Sequence, residues 1–245
     1  MSSLKGILLA SVVSVAMVAS AMAQDTTGTT EAIAKTSASA SESAAASGDT
    51  KVLKLKLPKP VFVGTPKNIN VPNLEPAGTK PPVINVPKDA KNLAAGKEVT
   101  ASDEEPIIGE LSQITDGDKE AADGSYVEFG PGVQWVQIDL GQESNINAIA
   151  VWHYHQMARV FNDVVIKVAD DADFITNVHT VFNNDTDNSA KQGVGQDKAY
   201  IETNEGKLID AKGVKGRYVR LYSNGNSATD TNQYIEVEVY GTPAK

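Results

Sequence analysis

Cysteine is missing from all 245 residues, so no disulfide or thiolate metal centre can hold this chain together, and a lipid anchor on an N-terminal cysteine is excluded. Stability must come from a buried apolar core large enough to stand alone. Cations are scarce too: 22 Lys and Arg stand against 31 Asp and Glu, for a formal charge of −9. Such a field repels phosphate backbones and anionic lipid surfaces, which argues against nucleic acid and membranes as targets. The chain has no Gly-x-Ser-x-Gly elbow and no glycine-rich phosphate loop opening a helix, which removes the common serine-hydrolase and nucleotide-binding patterns. Spacing along a chain says nothing for or against a paired-carboxylate hydrolase.

What is present falls into blocks. Residues 1–23 carry Lys5, an apolar run from Ile7 to Val18, and the small-residue ending Ala21-Met22-Ala23. That is the layout of a cleaved secretory signal, and a membrane anchor is the competing reading. The expected location is extracytoplasmic: periplasm, cell surface or medium. From 24 to 50 the residues are small and polar with Ile33 the only large apolar side chain, so this stretch reads as a low-complexity tether. The segment 51–91 begins with alternating Leu53, Leu55 and Leu57, which form one face of a strand that either docks downstream or pairs with nothing. Eight of the eleven prolines follow between Pro58 and Pro87, which predicts an extended, semi-rigid spacer.

Past Asn92 the pattern becomes short strand-like runs between Gly, Asn and Asp clusters, the signature of an all-β sandwich or barrel. Apolar residues recur with period two at Val136, Ile138 and Leu140, at Ile149 and Val151, and at Val164, Ile166 and Val168. The same alternation returns at Val219 and Leu221 and at Ile235, Val237 and Val239, predicting one buried face per strand.

Three runs, Trp135-Val136-Gln137-Ile138-Asp139-Leu140-Gly141, Gly216-Arg217-Tyr218-Val219-Arg220-Leu221-Tyr222 and Ile235-Glu236-Val237-Glu238-Val239-Tyr240-Gly241, together resemble the discoidin, or coagulation factor 5/8 type C, domain. Asn92-Leu93-Ala94-Ala95-Gly96-Lys97 and the acidic turn Ile114-Thr115-Asp116-Gly117-Asp118 fall in the places that family uses, so the resemblance spans 92–241. It implies an eight-stranded discoidin-like jelly-roll β-sandwich that binds ligand, most often a glycan, with loops at one end, and it implies no catalysis. It also implies a structural Ca²⁺ held by Asp116, Asp118 and Glu236, although the family's Thr-x-Trp is replaced here by Asp123-Gly124-Ser125-Tyr126, leaving Asp123 or Ser125 as further ligands. An ordinary surface turn is the other reading of Asp116-Gly117-Asp118.

Sugar recognition needs a flat apolar ring and fixed polar groups around it. The resemblance places such contacts in the loop after the strand that His153-Tyr154-His155 ends, and Tyr154, His155, Gln156 and Arg159 stand there. The loop bearing Asn224, Asn226 and Asn232 could complete the same end. The plainer readings are strand capping for the first group and a solvated loop for the second. His153 and His155, with His179, also permit a metal-dependent jelly-roll enzyme of cupin type, but Gln156-Met157-Ala158-Arg159 follows where that motif wants a Glu. Asn183, Asp185 and Asp187 have calcium-loop spacing, yet Asn188 stands in place of the required Gly and Val194 in place of the Glu. The favoured reading is thus an exported, non-catalytic carbohydrate-binding module, with a structural surface protein making protein contacts as the second.

Overall fold

The computed structural model describes residues 49–62 and 69–245. The expected signal at 1–23 and nearly all of the 24–50 tether lie outside the described residues. Strands dominate, and the one helical element described is a 3₁₀ turn at Leu111–Thr115. No helix among the described residues is long and apolar enough to cross a membrane.

A two-stranded ribbon, β1 (Thr50–Val52) and β2 (Asn85–Pro87), precedes a connected set of eight strands. These are β3 (Lys91–Asn92), β4 (Val99–Ala101), β5 (Val127–Phe129), β6 (Gln134–His153), β7 (Val165–Ala169), β8 (His179–Asn183), β9 (Lys207–Ser223) and β10 (Asn232–Pro243). Two of the strands are long enough to serve both layers of a sandwich. The first part of β6 pairs with β4 and with the end of β9, Gln134 opposite Ser223. Its later part pairs with β10 and with the start of β9, Val151 opposite both Val237 and Lys207. Between them the register shifts around Gly141, whose φ of +83° is open to glycine at no steric cost. The β7–β8 pair extends the first layer beyond β9.

The alternating residues fill the core as the pattern predicts. Val136, Ile138, Ile149, Val151, Val164, Ile166, Val168, Val219, Leu221, Ile235, Val237 and Val239 are all fully buried. Each contributes roughly 1.5–3 kcal/mol relative to exposure. Trp135 and Arg220 explain why two of the recognisable runs travel together: the guanidinium lies 4.4 Å from the Trp135 ring and 4.2 Å from that of Phe174. Its Nε donates to Gln137 Oε1 at 2.8 Å. Asn92 has an equally local reason, since its Oδ1 accepts from Val239 and Ala94 N–H at 3.0 and 3.1 Å and locks β3 to β10.

The structure departs from the one-buried-face expectation on β6 and β10. Ala148, Ala150 and Trp152 are fully buried as well as Ile149 and Val151, and Glu236 and Glu238 are buried between their apolar neighbours. The outer face of this layer is covered by the 111–119 segment: Gly117 donates to Glu236, and Lys119 Nζ meets Glu238 Oε1 at 2.5 Å. The core also begins upstream of Asn92, because Ile84, Val86 and Ala90 belong to it, with Leu53 and Leu55 packed on its border. Leu57 remains half exposed. Leu53 N–H donates to Ile84 C=O at 2.9 Å, so the Leu-Lys segment docks through the ribbon instead of running free.

Candidate functional site

β6 brings Trp152 to Tyr154 to one end of the sandwich, where the chain leaves the sheet toward Gln156. Tyr154, His155 and Arg159 are buried there, while Gln156 is exposed. Tyr154 meets Tyr126 edge-on at 4.7 Å on one side and the Arg159 guanidinium at 4.8 Å on another. Its hydroxyl donates to Gln156 Oε1. Arg159 passes a hydrogen bond to Gln233 Oε1 at 2.6 Å, and Gln233 passes one on to Glu128. Burial raises the phenol pKa of Tyr154 and lowers that of the Arg159 guanidinium, as expected where water is excluded. The predicted ring-and-donor set is thus brought together, but as an inward network with Gln156 at its rim.

The asparagine loop is built the same way. Asn232 Oδ1 accepts from Ser223 Oγ and Gly225 N–H, each at 2.8 Å, and its Nδ2 donates to Gly130 and Gly132 C=O at 2.9 Å. Asn226 serves its own turn through Ala228, Thr229 and Thr231. Asn224 Nδ2 donates to Asp163 Oδ2 at 2.8 Å. These side chains hold the loop's shape.

The two histidines of the His-x-His pair are committed separately. His153 is fully buried, stacked on Phe161 at 4.4 Å, with Nδ1 3.0 Å from Glu202 Oε2. His155 Nε2 lies 2.9 Å from the Lys119 carbonyl, and His179 is exposed on β8. Glu202 was not visible as a partner in the sequence, since 49 residues separate it from His153. Among the described residues, the set of three ligand-type groups with atoms within 4.8 Å of one another is Asp163, Asp185 and Asp187. Asp163 is what the failed calcium-loop pattern omitted. Its partners already serve the loop: Ser189 Oγ donates to Asp163, and the Ser189 and Ala190 amides to Asp185.

At the acidic turn, Asp116 Oδ1 accepts Asp118 N–H at 2.7 Å and Asp118 Oδ1 accepts Glu120 N–H at 2.9 Å. Glu236 reaches it from β10: Oε2 accepts Gly117 N–H at 3.1 Å, and Oε1 is buried with no partner. Burial pushes this carboxyl up to about 8, against the lowering pull of the Gly117 hydrogen bond. Lys119, the nearby cation, is taken up by Glu238 and lies 5.1 Å from the centroid of the Trp152 ring.

Residues 113–221 match a family model described as a NedA-like, galactose-binding domain of the F5/8 type C group. Over these residues the chain resembles the F5/8 type C family. Among curated proteins none matches the sequence. Three solved structures are similar to this chain. A family 32 carbohydrate-binding module of AlyQ, in complex with 4,5-unsaturated mannuronic acid, is 20% identical, with 58% of this chain and 92% of that one covered and a TM-score of 0.42. A fucose-binding module of Streptococcus pneumoniae is 23% identical, with coverages of 61% and 97% and a TM-score of 0.44. A family 89 glycoside hydrolase of Clostridium perfringens is 17% identical over 62% of this chain but only 15% of its own, with a TM-score of 0.46. What those proteins bind or cleave is a property of theirs.

Proposed function

We propose that this F5/8 type C domain is a non-catalytic carbohydrate-recognition module working outside the cytoplasm. The observation that carries this reading is the match of residues 113–221 to a galactose-binding family model. The geometry is compatible with it: the histidines that would have served a metal enzyme are spent inside the core, on Glu202 and on the Lys119 carbonyl. The segment 1–23 reads as the export signal that would bring the module to its glycan.

The family's calcium fits the residues present. A fully buried carboxylate with one oxygen unpartnered, Glu236 Oε1, faces a turn rich in hard oxygen donors. Asp116, Asp118 and Glu236 would hold the ion, which would tie the 111–119 cover to β10 and supply the positive charge that the buried glutamate lacks.

The test is a glycan array with the full chain, in Ca²⁺ and again in EDTA. The expected result is a restricted set of sugars bound in Ca²⁺ and weakened by chelation. Absence of binding to any glycan sinks the reading and leaves a protein-contact module in its place.

A further inference from the structure

The loop end spends its polar groups on itself, yet a cavity of about 760 Å³ opens beside it, between residues 74–82 and 200–208. That volume lies in the range of sites that hold small ligands, roughly 300–1,000 Å³. One wall is the proline-rich segment that the sequence presents as a spacer. It is fastened to the sandwich. Glu75 N–H donates to Ala199 C=O at 2.8 Å, Ala199 N–H to Asn73 C=O at 3.1 Å, and Leu74 forms a parallel bridge with Ala199. Lys207 pairs with Glu75, and Asn204 Nδ2 donates to Pro58 C=O at 3.1 Å. A groove with walls tied in this way is already formed before anything enters it, which lowers the ordering cost of binding.

The lining has the mixture that sugars require. Pro76, Pro81 and Pro82 supply apolar surface, and Thr79, Thr203 and Asn204 supply hydroxyls and an amide. Proline brings that surface with almost no side-chain entropy to lose. Charge decides the kind of sugar. The lining holds Glu75 and Glu205 against Lys80 and Lys207, and the Glu75–Lys207 pair cancels internally, so no field selects an anion.

We propose that a neutral oligosaccharide binds in this groove, and that the proline-rich segment is therefore half of the binding site and not a spacer. The proposal rests on the carbohydrate reading above and moves its location from residues 154–159 to the groove between 74–82 and 200–208.

The experiment titrates the full chain with neutral oligosaccharides built from galactose, glucose and N-acetylhexosamine, with an oligogalacturonate as acidic control, and follows backbone amide shifts by NMR. Support is a set of shifts centred on Gly78, Thr79, Thr203 and Asn204, and at least a tenfold loss of affinity in Ala77→Trp, which fills the groove from an exposed position. Gln156→Ala should bind as the parent does. Shifts centred on 154–159, with affinity lost in Gln156→Ala and kept in Ala77→Trp, overturn the groove while the carbohydrate reading stands. Preference for the acidic control also overturns it. No binding to any sugar overturns both. Because the amide shifts come from the unaltered protein, they locate the bound sugar even if Ala77→Trp misfolds.

Discussion

Glu236 Oε2 accepts the backbone N–H of Gly117 at 3.1 Å, joining the last strand to a turn 119 residues earlier. This contact places an acid inside the protein with its second oxygen unpartnered. Burial raises its pKa from 4.5 to about 8, so between those values the folded chain holds a proton that the unfolded chain has released. Stability in EDTA should therefore fall as pH rises from 5 to 8.5, by at most about 5 kcal/mol at roughly 1.4 kcal/mol per pKa unit. Glu236→Gln should flatten this dependence and abolish stabilisation by Ca²⁺. Thermal unfolding at the two pH values, with and without Ca²⁺, measures both. A parent protein whose midpoint ignores Ca²⁺ at pH 8.5 contradicts the calcium assignment.

His153 and Glu202 are both fully buried and face each other at 3.0 Å. Replacing one partner strands the other in a water-free core. His153→Phe should cost about 3–5 kcal/mol in urea unfolding. Adding Glu202→Leu should recover most of that loss, because an apolar pair removes the orphaned acid. A double variant no more stable than the single would show that the pair's shape, not its polarity, is what the core needs.

Asn232 satisfies two backbone carbonyls, one amide and one hydroxyl with a single side chain. Asn232→Ala leaves those groups buried without it, for an expected loss of about 2–4 kcal/mol. Hydrogen exchange should speed up at Gly225 and through 224–231 before global unfolding. Unchanged protection there would show that the loop is held by other bonds.

Gly206 has φ +64°, and a Cβ at this position would lie 2.7 Å from the Trp152 ring. Gly206→Ala therefore combines backbone strain with overpacking, and should lower stability by roughly 2–4 kcal/mol. Near-ultraviolet circular dichroism should register the displaced indole, whose Nε1 donates to Asn204 C=O at 3.0 Å. An unshifted spectrum and melting point would mean that the 203–206 turn moves freely away from Trp152.

The strands were legible because period-two alternation is a local property. Val136, Ile138 and Leu140, or Ile235, Val237 and Val239, announce a buried face whatever the rest of the chain does. Glu236 and Glu238 were legible only as the opposite face. Their burial depends on Gly117 and Lys119 arriving from far up the chain. Tyr154, Arg159, Asn226 and Asn232 carried the right chemistry for a ligand, but the same donors and rings also serve a network, and residue type does not separate the two uses. Gln233 and Tyr126, which close that network, had no signal of their own.

The groove shows the same division. Proline content alone argued for an extended run over residues 58–87, since a ring-locked φ and a missing donor keep such a segment out of a central strand. Composition and alternation likewise determined an all-β sandwich, and the ordered runs carried its resemblance to the F5/8 type C domain. Only the tertiary structure decided that Glu75 would reach Ala199 and Lys207, that Ile84 and Val86 would enter the core, and that His153 would face Glu202. The physical reason is range: backbone geometry and hydrophobic period act between near neighbours. The burial of a polar side chain depends on which distant segment comes to cover it.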